Sequence, residues 1–385
     1  MDRRAKILGV RVRRSRNVCA NLHSFPGCVM QEMDVRGLKA KLKKNPDDTG
    51  ILLNLVGALR AGGKYDQAIS HIERYLAAHP DQFDVLIAYG DALADLKTYD
   101  EAVAVFLKAS GIKECAAPHY SLAKVYDLRG MHDEAIKAHN RAIEIEPECA
   151  EAYYRLGMTY ARSEKHEDAL LAFQKCLKHD QSCAKAYSEM ALIYEKKGNK
   201  DLAAIELRKA VEIDSSNAQW HCNLGAIYGD QGIFDEAIDE FRLAIKLGGD
   251  GAEEHYNLGV ALSNKGNVEE AIGEFLDSLK IEPRSSKTLF QLGLAYLRKG
   301  LHSKAVRSFI KCLDMDVDNA KAYFYLGQAH LGKGEVDHAI ASFERAVAIQ
   351  PSDWRSHYYL GVAYDHKGDM PQAKEAYKRA ESLHR

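Results

Sequence analysis

YNLGVALSNKGNVEEAIGEF, residues 256–275, holds two short amphipathic runs hinged at Gly266. It returns 34 residues later as FQLGLAYLRKGLHSKAVRSF, 290–309, and again as FYLGQAHLGKGEVDHAIASF, 324–343. The prolines keep the same beat: Pro46, Pro80, Pro147, Pro283 and Pro351 are spaced by 34, 67, 136 and 68 residues. Cutting the chain at residues 49, 83, 116, 150, 184, 218, 252, 286, 320 and 354 gives ten units of 34, the second one shorter by a residue and the last ending at Arg385. A repeat this regular overrides the two or three domains that 385 residues would otherwise predict.

Within a unit, apolar residues fall at positions 4, 7, 8 and 11, then at 17, 20, 24, 27 and 28. That is the spacing of two successive amphipathic helices, and no stretch alternates as a strand would. Position 15 is glycine in eight units, from Gly63 to Gly368, where the first helix needs a left-handed stop. Glu164 stands there in unit 4, at a cost of about 1 kcal/mol if the left-handed geometry is kept. Acidic residues follow the cap, as in YDEA, FDEA and VEEA, and suit the positive end of the second helix. Position 8 is glycine in seven units and position 20 is alanine in all, so the two helices can approach closely. Position 24 supplies bulk through Phe106, Phe173, Phe241, Phe275, Phe309, Phe343 and Tyr377, expected to fill the gap between one unit and the next. A single unit cannot bury such a face, so the units must stack.

This pattern resembles the tetratricopeptide repeat (TPR) family over residues 49–385. The resemblance implies an all-α, right-handed α-solenoid superhelix of about ten helix pairs, whose first helices line a concave groove that holds extended or helical segments of partner proteins. Residues 34–48 read as an N-terminal capping half-repeat, and 1–33 as a basic segment without a fold of its own. Its opening MDRRAKILGVRVRRSR carries seven basic side chains but lacks the apolar core of a signal peptide. A weak nucleic-acid contact, or an extension ahead of a start at Met30 or Met33, are the other readings weighed against a targeting arm. Hinges are expected near 110–116, at the shortened junction ASGIKECAAP, and near 248–252, where Gly248, Gly249 and Gly251 replace a proline-led turn.

Chemistry is sparse. The net charge of −2 carries no polyelectrolyte signature, so neither nucleic acid nor a membrane surface is an expected partner. No apolar run approaches the roughly 20 residues of a membrane span. The eight cysteines form no CxxC pair and read as reduced thiols, which points to a cytoplasmic protein. GQAHLGKG, 327–334, matches a phosphate loop only in outline: Gly334 follows the lysine, no strand precedes it, and its outer glycines are repeat positions 8 and 15. His119, His221, His255 and His357 all index to position 4 and read as core filler. His132, His166 and His302 share position 17 on separate units, about 10 Å apart by the repeat geometry and too far to share a metal. No catalytic residue, cofactor or metal is expected.

Positions 2, 5, 6, 9, 12 and 13 should face the groove. In units 1–5 they are mixed, with Asp84, Asp91, Asp95 and Glu151 against Lys124, Arg155, Arg162 and Lys185. In units 8–10 they become basic and aromatic: Lys287, Phe290, Gln291, Arg298, Lys321, Phe324, Tyr325, Arg355, Tyr358 and Tyr359, offset chiefly by Asp365; with Tyr256 and Asn257 of unit 7 they make units 7–10 the expected partner-binding groove. Such a face suits an acidic segment with apolar anchors, although tyrosine at position 5 is common in this family. The family's clamp for a C-terminal carboxylate is not reproduced: Asn257 and Lys287 are present, but Cys222, Ala226 and Gln291 occupy the other places. Asn54, Asn223 and Asn257 at position 6 resemble the arm of O-linked N-acetylglucosamine transferases, yet Ala88, Ser121, Arg155 and Glu189 break the ladder and no glycosyltransferase portion follows. The expected function is a non-enzymatic scaffold. The alternatives are a self-assembling array, since no polar capping helix follows unit 10, and an accessory or targeting subunit of an enzyme.

Overall fold

The computed structural model of the protein describes residues 35–384, and the expectations placed on residues 1–33 lie outside them. Among the described residues there are 21 helices and no strand. The described residues divide into two compact units, one up to Ile193 and one from Tyr194. In the N-terminal unit α1 (Val35–Lys44) precedes α2 (Thr49–Ala61) with α3 (Tyr65–Leu76), α4 (Phe83–Asp95) with α5 (Tyr99–Ile112), α6 (Ala116–Leu128) with α7 (His132–Ile145), and α8 (Ala150–Arg162) with α9 (His166–His179). Helix α10 (Ala184–Lys196) covers the division point. The C-terminal unit holds α11 (Lys200–Ile213), then α12 (Ala218–Asp230) with α13 (Phe234–Lys246), α14 (Ala252–Lys265) with α15 (Val268–Ile281), α16 (Ser286–Arg298) with α17 (His302–Leu313), α18 (Ala320–Lys333) with α19 (Val336–Ile349), and α20 (Trp354–Lys367) with α21 (Met370–His384). From α2 onward these are the ten helix pairs that the 34-residue period predicts.

Seven of the ten pairs close on the same contact. A Cβ added to Gly293 in α16 would lie 2.6 Å from the Phe309 ring of α17, and the same 2.6 Å separates Gly327 from Phe343 and Gly157 from Phe173. The position-24 ring therefore covers the glycine of its own pair. The gap to the next unit is a second contact of the same ring: Phe309 stacks on Tyr325 at 6.2 Å and 17°. Phe106, Phe173, Phe275, Phe309 and Phe343 are fully buried this way, each contributing about 2–3 kcal/mol relative to exposure.

Caps follow the sequence with one addition. The position-15 glycines from Gly63 to Gly368 have φ between +68° and +100°. Glu164 keeps that geometry at φ +59°, and so does Lys97 at +68°, a second side chain forced into the left-handed region. The acidic residues that open the second helices serve twice. Asp337 pairs with Lys367 of the following unit at 2.8 Å, and Glu269 pairs with Lys299 in the same way. These exposed pairs set register between neighbours more than they add stability. At 246–252, Gly248 turns at φ +96° and Gly249 N donates to Ala244 O at 3.0 Å before Gly251 caps α14.

Candidate functional site

The first helices carry the residues singled out above. In the C-terminal unit the aromatic ones join into a run across three units. Phe290 meets Tyr325 edge-on at 5.8 Å, Tyr325 meets Phe324 at 5.1 Å, Phe324 meets Tyr359 at 5.4 Å, and Tyr359 meets Tyr358 at 5.7 Å. Lys287 Nζ sits 4.7 Å above the Tyr256 ring, tying unit 8 to unit 7. Arg298 Nη1 donates to both Ser263 O and Ser263 Oγ at 2.8 Å, which holds its guanidinium across the helix ends of units 7 and 8. Among the described residues Lys321 is exposed and has no carboxylate within 4.0 Å. Arg355 pairs with its neighbour Asp353 at 3.2 Å. Asp365, the acidic exception, accepts a hydrogen bond from Tyr377 Oη at 2.6 Å.

Exposure sorts the set. Lys287, Arg298, Lys321, Arg355 and Tyr358 are exposed, and Tyr256, Asn257, Phe290, Gln291, Tyr325 and Tyr359 are half-buried. Phe324 departs from the expectation that it lines an open face: it is only 9% exposed. The rings of Tyr325, Phe343 and Tyr359 surround it within 5.9 Å, so it is a core side chain of unit 9. Trp354, 37% exposed and packed at a tilt of 35° against His384 with ring centroids 4.4 Å apart, belongs to the accessible aromatics but stands at position 1, outside the groove positions.

In the N-terminal unit several of the face charges are paired internally. Arg60 Nε donates to Asp95 at 2.7 Å and Arg60 Nη1 to Asp91 at 3.3 Å. Arg155 pairs with Glu151 at 2.7 Å. Asp127 accepts from Thr159 Oγ1 at 2.7 Å and lies 3.4 Å from Arg162. Between α6 and α8 is a cavity of about 550 Å³ lined by Lys124, Asp127, Tyr154, Arg155 and Arg162, with His139 at its base. His139 is 2% exposed. Burial, opposed by Asp127 and aided by Arg155 and Arg162, pushes its imidazole down to about 4.

The position-4 histidines act as ties. His221 is buried between Glu240, 2.5 Å from Nδ1, and Ser215 O, 3.1 Å from Nε2. His255 repeats the arrangement with Glu274 at 2.6 Å and Asp250 at 2.7 Å. Two clusters that indexing by single positions missed bring metal-ligating atoms within 4.8 Å of one another: His330, Glu335 and His338, and His255, Glu274 and Asp277. Each joins residues from both helices of one unit, a proximity visible only when positions 4, 11, 16, 19, 23 and 26 are compared across the turn.

Profiles described as tetratricopeptide repeat match residues 53–114, 150–183, 184–217, 222–286, 290–353 and 331–384, and one described as TPR repeat matches 123–164. The chain belongs to the tetratricopeptide repeat family. Among solved TPR structures, the C-terminal part of a TPR repeat-containing protein from Cytophaga hutchinsonii is 20% identical, covers 60% of this chain and 95% of its own, and superimposes with a TM-score of 0.51. YrrB, described as a TPR protein with an unusual peptide-binding site, is 23% identical over 48% of this chain and 95% of its own, with a TM-score of 0.45. MamA from Desulfovibrio magneticus RS-1 is 23% identical over 43% and 94%, with a TM-score of 0.42. At 20% identity the likeness to the Cytophaga protein is one of fold. No curated protein sequence gives a match. TPR arrays typically serve as protein-binding scaffolds, and among the described residues no helix is long and apolar enough to cross a membrane.

Proposed function

We propose that this TPR protein is a non-enzymatic scaffold that takes up an acidic, apolar-anchored segment of a partner protein on the first-helix face of units 7–10. The observation that supports this reading is the pairing of unneutralised cations with a continuous aromatic run. Lys321 lacks a carboxylate, Arg298 is held by neutral oxygens, and Lys287 lies on a ring, while Tyr325, Tyr359 and Tyr358 present accessible edges beside them. Cations of this kind steer an acidic partner, and desolvated aromatics supply most of the binding energy. The burial of Phe324 removes it from the contact set and gives that role to Tyr325, Tyr358 and Tyr359.

The test is selection of a displayed peptide library on the full chain and on Lys287→Glu with Lys321→Glu. Acidic peptides bearing Leu, Phe or Trp should be enriched, and the double reversal should weaken them by about 100-fold, equivalent to about 2.7 kcal/mol. Enrichment of basic or charge-indifferent peptides would sink the assignment. Recovery of segments of this chain itself, with a concentration-dependent mass in light scattering, would favour self-assembly instead.

A further inference from the structure

The turn between the two helices of unit 9 departs from the repeat in a coordinated way. Position 11 is tyrosine in six units, at 126, 160, 194, 228, 296 and 364, and leucine in three; it is histidine only at His330. Position 19 is acidic in five units and histidine only at His338. Both substitutions occur in the same unit, and Glu335 lies between them as the N-cap of α19. His330 Nδ1 is 2.7 Å from Glu335 Oε2, and the two imidazoles stack at 5.2 Å and 25°. One ligand atom from each of the three residues lies within 4.8 Å of the other two.

We propose that His330, Glu335 and His338 bind one divalent transition-metal ion of the zinc class at this turn. Bonds of about 2.0–2.1 Å in a tetrahedron require donor atoms roughly 3.3 Å apart. The buried His330 is the fixed donor, and the more accessible Glu335 and His338 reach that spacing by small side-chain rotations. Two imidazoles with one carboxylate select zinc, cobalt, nickel or copper over magnesium or calcium. Three protein donors leave a coordination position for water or a partner's side chain. Lys333 Nζ, 2.5 Å from Glu335 Oε1, fixes the carboxylate from its outer side.

The second cluster has a different explanation. His255 engages both ring nitrogens, with Glu274 and Asp250, and its bond to Glu274 repeats that of His221 to Glu240 one unit earlier. It is a structural tie of the repeat and offers no free donor pair.

The experiment uses the full chain after chelator dialysis, titrated with Zn²⁺, Co²⁺ and Mg²⁺ by calorimetry, with the visible absorption of Co²⁺ as a second signal. Zn²⁺ and Co²⁺ should bind at one site, raise the melting temperature reversibly with chelator, and leave Mg²⁺ without effect. His338→Ala and Glu335→Gln alter accessible side chains, and His330→Tyr restores the residue of six other units, so all three should keep their helicity. Each should weaken Zn²⁺ by at least about tenfold and abolish the Co²⁺ band. Zn²⁺ affinity unchanged in His338→Ala and Glu335→Gln would place the ion on other histidines and overturn the proposal, as would absence of binding to the wild type.

Discussion

Among the described residues, Arg60, Arg155 and Arg162 on the first helices of the N-terminal unit are each paired with a carboxylate, whereas Lys287, Arg298 and Lys321 on those of the C-terminal unit are not. Arg60 is held by Asp91 and Asp95, and Arg162 by Asp127; Lys287 and Arg298 are held by a ring and by serine oxygens. The core beneath is the same, since Phe106 and Phe309 are both fully buried over a glycine of the paired helix. The N-terminal unit also carries irregularities that the C-terminal one lacks among its described residues, the left-handed Lys97 and Glu164. One repeat thus yields two kinds of surface, because the packing positions are fixed while the face positions are free to vary.

If the cores are equivalent, Phe106→Ala and Phe309→Ala should cost the same, about 3–5 kcal/mol each, read by hydrogen exchange in α5 and α17. A difference beyond about 1 kcal/mol would break the equivalence. Acid should act through His139. Its folded value of about 4 lies below the ordinary 6.5, so the unfolded chain takes up the proton first. Its contribution is intact above about pH 6.5 and is lost as pH falls toward 4, on the order of 3 kcal/mol in all. His139→Leu should flatten the urea-midpoint profile over that window, and an unchanged slope would remove His139 as its source. The smallest effect concerns the caps: Lys97→Gly and Glu164→Gly should each raise stability by about 0.5–1 kcal/mol, and Gly300→Lys should lower it by a similar amount. Thermal melts of the three variants would show whether the left-handed cap is as costly in one unit as in the other.

The candidate face was partly legible. Tyr256, Lys287, Phe290, Tyr325, Tyr358 and Tyr359 could be grouped from repeat positions, since every residue 34 apart occupies an equivalent place on successive helices. Phe324 could not be placed correctly, because position 5 is exposed or covered according to its neighbours: it lies among three rings, while Tyr358 at the same position is 46% exposed. Lys97 escaped notice because a cap is defined by φ, and a side chain does not announce that it has been forced positive.

The sequence by itself determined the ten helix pairs and which positions pack, because these repeat with one period and each copy reinforces the reading of the others; that the position-24 ring sits on the glycine of its own pair came from the structure. Only the tertiary structure decided which face charges neutralise each other, that Phe324 is core, and that His330, Glu335 and His338 converge. Those outcomes depend on side chains from different helices meeting across a turn or a unit boundary, and one-dimensional spacing does not encode such distances.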